Sequence, residues 1–328
     1  MLFLYLTVFL LAILLLICLY CFHTCFYSPG NRKEDPYEML TGEQYAALSE
    51  GIFYCTRRME QSPCEFVTIK AFDGTRLTGR YYHHHDGAPI LLLFHGYRSM
   101  ALRDCAGGYI LGRKLGLNVL AVDQRAHGRS GGRIITFGIR ERRDCLNWVH
   151  YLNKRFGNDM PILLSGLSMG AATVLMAANL PLPENVCGIM ADCPYSDPCD
   201  IILKVAADRK LPSKLVRPFI LLSARLFGGF SLLECSAESA VQNTKIPILL
   251  IHGEDDKFVP CGMSHAIAKH CKSACQLHTF PGAGHGLCYT TAPQRYEEVT
   301  LSFLSSLPAL ELHLSKNDYA QQLRKGNL

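Results

Sequence analysis

Apolar positions in this chain gather into short, nearly unbroken runs: PILLLFHG (89–96), NVLAVDQR (118–125), PILLSG (161–166), VCGIMADC (186–193), IPILLIHG (246–253) and CQLHTFPG (275–282). Runs of this length without alternation suit strands buried on both faces, the signature of a parallel sheet covered by helices. Two further β-rich runs, FVTIKAF and RLTGRYYHH, flank Asp73-Gly74, a hairpin signal. Helix-length stretches lie between most of the runs, at 101–115, 137–156, 169–179, 259–273 and 291–307. The alternation predicts an α/β architecture, a mostly parallel eight-stranded sheet with helices on both faces. One interval breaks the rhythm. Between the strand ending near 193 and the one starting near 246 lies an amphipathic helical stretch, DRKLPSKLVRPFILLSARLF among it. An insertion at about 195–243 is most simply a cap over the carboxyl edge of the sheet, and substrate specificity would then depend on how that cap packs.

The first 22 residues carry no charge. About 20 apolar residues span a bilayer core, and the basic n-region and small-residue cleavage site of a secretory signal are missing. Residues 1–22 are therefore expected to form a retained single-pass anchor, a signal peptide or a buried core helix being the competing readings. Residues 23–60 follow as a juxtamembrane segment, with a short helix expected around 42–58. Residues 61–309 would form the α/β domain, and 310–328 a C-terminal tail. Arg32 and Lys33 follow the span and no basic residue precedes it, so the positive-inside rule points to a cytoplasmic domain.

Composition narrows the field. With 49% hydrophobic and 19% charged residues in 328, the chain can bury a large core. A net charge of +5 without a basic stripe interleaved with aromatics argues against nucleic acid as a partner. Fifteen scattered cysteines, an odd number, favour a reducing compartment. Cys18 and Cys21 form a CxxC by letter, but inside the apolar span, where neither redox nor zinc chemistry is expected.

In an open parallel sheet, ligands sit beyond the carboxyl ends of the strands, so the polar residues after each run carry the chemistry. After PILLSG comes Ser168, within Gly166-Leu167-Ser168-Met169-Gly170. A sharp strand-to-helix turn strains its central residue, and small residues two places either side relieve the crowding while the hydroxyl is presented to solvent. The positive end of the following helix points at any anion formed there. After PILLLF come His95-Gly96-Tyr97; backbone N–H groups of Tyr97 and Met169 could form an oxyanion hole. After IPILLI come Glu254, Asp255 and Asp256. Asp256, three residues before Val259-Pro260, is the acid best placed to orient a histidine; Glu254 and Asp255 read as solvated or turn-forming, and Asp192 is the outside candidate. After the last strand, His285 stands between glycines in GAGHG and is the natural general base. His95 and His252 read as structural, His127 as a turn residue, and His83, His84 and His85 as solvent-facing, without the second ligand cluster a metal site would need.

The order Ser168, Asp256, His285 is that of the α/β-hydrolase fold. With HGYRS, DQRAHGRS, TFGIRERRDCLNWVHYL, GLSMG, HGEDDKFVP and GAGHG in sequence, residues 66 to 307 resemble the α/β-hydrolase superfamily. They look most like its membrane-anchored serine-aminopeptidase-like branch, often labelled prolyl-oligopeptidase-like. The resemblance implies Ser168 as nucleophile, His285 as base, Asp256 as its orienter, Tyr97 and Met169 as oxyanion donors, and no metal or organic cofactor. Ala126 departs from the glycine that relatives often carry. The expected activity is a serine hydrolase cleaving a carboxylic ester at a membrane, on a small-molecule or lipid-like acyl substrate. A peptidase, aminopeptidase or amidase with the same triad is the near alternative. A non-catalytic, membrane-anchored ligand-binding relative is the alternative of another class. Arg209, Lys210, Lys214 and Arg217 in the cap disfavour a cationic substrate and would suit an anionic membrane surface, an ordinary core-facing cap helix being the plainer reading.

Overall fold

The computed structural model describes residues 1–29, 35–38 and 42–325. Arg32 and Lys33, which the topology reading used, lie outside them. The eight strands are β1 (Glu65–Lys70), β2 (Arg76–Tyr82), β3 (Ile90–Phe94), β4 (Asn118–Asp123), β5 (Ile162–Leu167), β6 (Val186–Asp192), β7 (Ile248–Gly253) and β8 (Cys275–Phe280). They form one sheet in the order β1-β2-β4-β3-β5-β6-β7-β8. β1 and β2 are an antiparallel hairpin, β2 meets β4 antiparallel, and β3 to β8 run parallel. Every residue of β3, β4 and β7 is buried, as expected of strands covered on both faces. The strand order reverses at β3, between β4 and β5. That switch point is where an open α/β sheet leaves a crevice at its carboxyl edge.

The chain opens with α1 (Leu2–Cys25), 24 residues with a mean hydropathy of 3.1 over its most apolar window, long and apolar enough to cross a membrane. It runs past the expected boundary at 22, because its last turns are docked on the domain: Cys18 and Phe22 are buried, and so is Phe26 just beyond. Next come α2 (Glu43–Ala47) and α3 (Ser49–Gln61), then α4 (Ala101–Asp104) and α5 (Ala106–Lys114). The single helices expected at 42–58 and 101–115 are thus each broken in two, at Leu48 and at Cys105. α6 (Glu141–Phe156) and α7 (Met169–Ala177) complete the first half.

The insertion carries α8 (Pro198–Asp208), α9 (Ser213–Leu226) and α10 (Ala237–Ala240). α9 packs along α1, with Phe22 and Phe227 ring to ring at 5.7 Å. After α11 (Gly262–His270), α12 (Cys288–Thr291) and α13 (Pro293–Ser305) come α14 (Pro308–Ser315) and α15 (Asp318–Arg324). The residues expected as a tail therefore carry two helices, whose Leu310, Leu314 and Leu323 are buried against the domain.

Candidate active site

Ser168 stands at the corner between β5 and α7 with φ 55 and ψ −115, a backbone conformation in which a non-glycine residue is strained. The two glycines around it answer to space. A Cβ on Gly166 would overlap the Gly170 carbonyl carbon, and a Cβ on Gly170 would overlap the Phe94 carbonyl oxygen. The turn closes only because both lack one. The Ser168 N–H donates to the Asp192 carbonyl at 2.8 Å, tying the corner to the end of β6.

The Ser168 hydroxyl donates to Nε2 of His285 at 2.9 Å. Nδ1–H of His285 donates to Oδ2 of Asp256 at 2.6 Å. The chain separations of 117 and 29 residues are bridged because all three follow the carboxyl ends of parallel strands of one sheet, β5, β7 and β8. Asp256 is buried, whereas Glu254 and Asp255 are exposed. Burial alone would raise the Asp256 carboxyl. Hydrogen bonds from His252 and His285, with the Val259 N–H, outweigh it and hold the group well below the ordinary carboxylate range. The other oxygen, Oδ1, accepts from the Phe258 and Val259 N–H groups at 2.9 and 2.8 Å. Asp256 is therefore an ionised acceptor that fixes the imidazole tautomer and would stabilise its charged form.

His252 is a brace: its Nε2 lies 2.9 Å from the Val259 carbonyl and 3.3 Å from Asp256, and Nδ1 accepts from Ser264. His95 is buried as well, accepting from the Gln124 N–H at 2.9 Å. His127 accepts from the Arg98 N–H at 2.9 Å. His83, His84 and His85 are exposed. Gln124 and His127 belong to DQRAHGRS, so that motif buttresses the loop after β3. Sequence reasoning missed this, because the partners lie 29 residues apart. In the same motif Ala126 has φ 63, which accounts for a preference for glycine at that place.

Tyr97 and Met169 flank the serine differently. Met169 opens α7, where first-turn N–H groups have no acceptor within the helix. Tyr97 follows Gly96, whose backbone lies so close to Ser168 that a Cβ there would be 3.4 Å from the serine Cβ. The Tyr97 ring stacks on Phe137 at 4.9 Å, and its hydroxyl donates to the Cys25 carbonyl at 2.8 Å. Arg98, at φ 51, donates to the Thr24 carbonyl. The end of α1 and the loop after β3 are thus hydrogen-bonded to each other, which no local pattern announced.

Asp192, the outside candidate for the acid, does not reach His285 by a hydrogen bond among the described residues. Its Oδ1 is buried without a hydrogen-bond partner there. Burial pushes the carboxyl up to about 6, against the pull of His252 and Tyr296. An acid raised from about 4 in the unfolded chain to this value binds its proton more tightly when folded, so stability is lost as pH rises between the two. The loss is about 3 kcal/mol, from two pH units at 1.4 kcal/mol each. Asp192→Asn should therefore gain thermal stability relative to the parent between pH 4 and pH 7. Parallel melting profiles across that range would refute the assignment.

Cys193 Sγ, an Asp256 oxygen and a His285 nitrogen lie within 4.8 Å of one another and are a possible donor set for a metal. The carboxylate and imidazole are already joined by their own short hydrogen bond, which a metal would have to displace.

A cavity of about 450 Å³ opens on Ser168 and His285. No residue of 195–243 lines it among the described residues. In the insertion, α9 packs along α1 and α10 against α7 and α11, while the cavity is lined by residues of α3, α5 and the loops after β3 and β8.

Residues 90–299 match the alpha/beta hydrolase family. The chain is similar to protein YqkD of Bacillus subtilis (strain 168), 26% identical over 259 residues, which is 78% of this chain and 83% of that protein. Among solved structures it is similar to the Pyrococcus furiosus esterase Pf2001, at 23% identity and a TM-score of 0.63, over 76% of this chain and 93% of the other. It is likewise similar to Est1E from Butyrivibrio proteoclasticus, solved with ferulic acid, at 21% identity and a TM-score of 0.58, over 74% and 99%. At these identities the two structures share the fold.

Proposed function

The chain belongs to the alpha/beta hydrolase family, and from that premise we propose that it is a serine hydrolase cleaving a carboxylic ester at a membrane. One observation carries the reading: Ser168, His285 and Asp256 form an unbroken hydrogen-bonded series that opens on a cavity. His285 Nε2 takes the proton of the Ser168 hydroxyl as Oγ bonds to the ester carbonyl carbon. The carbonyl oxygen becomes an oxyanion, held by the N–H groups of Tyr97 and Met169. The C–O bond to the alcohol breaks, and the alcohol leaves with the proton from His285. Water then attacks the acyl-serine, giving its proton to His285, and the acid departs as the hydroxyl of Ser168 is restored. Asp256 stays ionised throughout.

A membrane setting rests on α1. Beside it, the cap exposes Leu211, Leu215 and Leu226 together with Arg209, Lys210 and Lys214, a mixture suited to a bilayer surface. The test is turnover of p-nitrophenyl esters, thioesters and aminoacyl amides by the full-length protein in detergent, with fluorophosphonate labelling in parallel. Ester turnover well above amide turnover is expected. Amide cleavage at equal or greater efficiency would make the protein a peptidase or amidase. Absence of both turnover and labelling would leave a ligand-binding relative.

A further inference from the structure

We infer that α2 and α3, not the cap insertion, roof the substrate, and that the acyl group of the ester lies between α3 and α5. This rests on the ester-hydrolase reading above and names its substrate class: esters with an extended apolar acyl chain.

Four observations carry it. No residue of the cap among those described lines the cavity that opens on Ser168; it is lined by Ile52, Phe53 and Cys55 of α3 and by Ala106, Gly107 and Gly108 of α5. These are apolar or small side chains, which suit an alkyl chain and offer no charge to an amine or a carboxylate. The roof is tied down at the catalytic end, where the Tyr45 hydroxyl donates to the His285 carbonyl at 2.7 Å. α3 also packs directly along α5, so the two walls are held in register. Among the charged groups that line the cavity, Asp104 accepts from the Gly96 N–H at 2.8 Å and lies 3.5 Å from Arg103, and Asp192, whose Oδ1 is unpartnered among the described residues, stands beside Ser168. The polar end thus meets the ester carbonyl, and the apolar end takes the chain. α2 and α3 precede the residues that match the family.

Chain-length selectivity tests the inference. With the full-length protein in detergent, kcat/KM is measured on p-nitrophenyl acetate, octanoate and dodecanoate. The parent should prefer octanoate to acetate. Ile52→Trp, which fills the space between the walls, should lower the octanoate-to-acetate ratio by at least about tenfold, since each excluded methylene forfeits apolar burial. Ile52→Ala, which enlarges it, should raise the dodecanoate-to-octanoate ratio, and it decides the matter if the tryptophan variant does not fold. Leu215→Ala in the cap should leave both ratios unchanged. Unchanged ratios in both Ile52 variants, or a shift in the cap variant instead, would overturn the roof while ester hydrolysis stood. Failure of the parent to cleave any ester or to label with a fluorophosphonate would remove the underlying reading instead.

Discussion

Ser168→Ala should lower kcat on a p-nitrophenyl ester by roughly 10⁴- to 10⁶-fold, with little change in the thermal unfolding midpoint. The size follows from the place of the hydroxyl. It is the only group in the hydrogen-bonded series able to form the acyl bond, and without it His285 has no oxygen to deprotonate at 2.9 Å. The residual rate would come from binding and from the oxyanion donors. Stability should hardly move. Ser168 already occupies a positive φ of 55, which alanine must share at similar cost, and the lost hydroxyl contacts only an imidazole that solvent can reach. The measurement pairs initial rates with melting curves on one preparation. Turnover within about tenfold of the parent would assign the chemistry to another group. A large drop in melting temperature would mean that the serine is structural.

Phe26→Ala should destabilise the protein by about 3–5 kcal/mol, the range for truncating a fully buried aromatic. Phe26 is fully buried, with ring centroids of Phe22, Phe137 and Phe230 at 6.1, 5.9 and 5.3 Å. Its backbone is engaged too: the Ile135 N–H donates to the Phe26 carbonyl at 2.8 Å, and the Ser28 N–H to that of Arg133. The consequence reaches the site. Tyr97 and Arg98 hold the last carbonyls of α1, so loosening that contact loosens the loop that carries Tyr97, the proposed oxyanion donor. Deleting residues 1–29 should therefore lower kcat more than it raises KM, besides lowering the melting temperature. If the truncated domain melts and turns over like the full chain, the helix is a detachable anchor and its docking has no bearing on catalysis.

The order of elements was legible because runs of six or so apolar residues bounded by turn signals suit strands buried on both faces. PILLSG became β5 and IPILLI became β7 nearly to the residue. Ser168, Asp256 and His285 stood out as candidates for a related reason, since each lies within a few residues after a strand that ends at one rim of the sheet. Helix breaks were less visible. Leu48 and Cys105 lack the proline or glycine that marks an interruption, and tertiary packing decides them. The bracing by Gln124 and His127 was hidden because its distances in sequence exceed any local period.

The amino-acid sequence by itself determined the succession of strands and helices, the strained serine turn with its two glycines, and which polar side chains stand at the carboxyl ends of the strands. These depend on short-range physics: burial patterns, steric room at a turn, and the alternation that brings parallel strand ends to one rim. Only the tertiary structure decided that the first helix is bonded to the loop after β3, that the cap turns toward that helix, and that α2 and α3 wall the cavity. Those contacts join segments tens to hundreds of residues apart. Complementary surfaces that meet only after the sheet has assembled select them, and no periodicity along the chain records such a meeting.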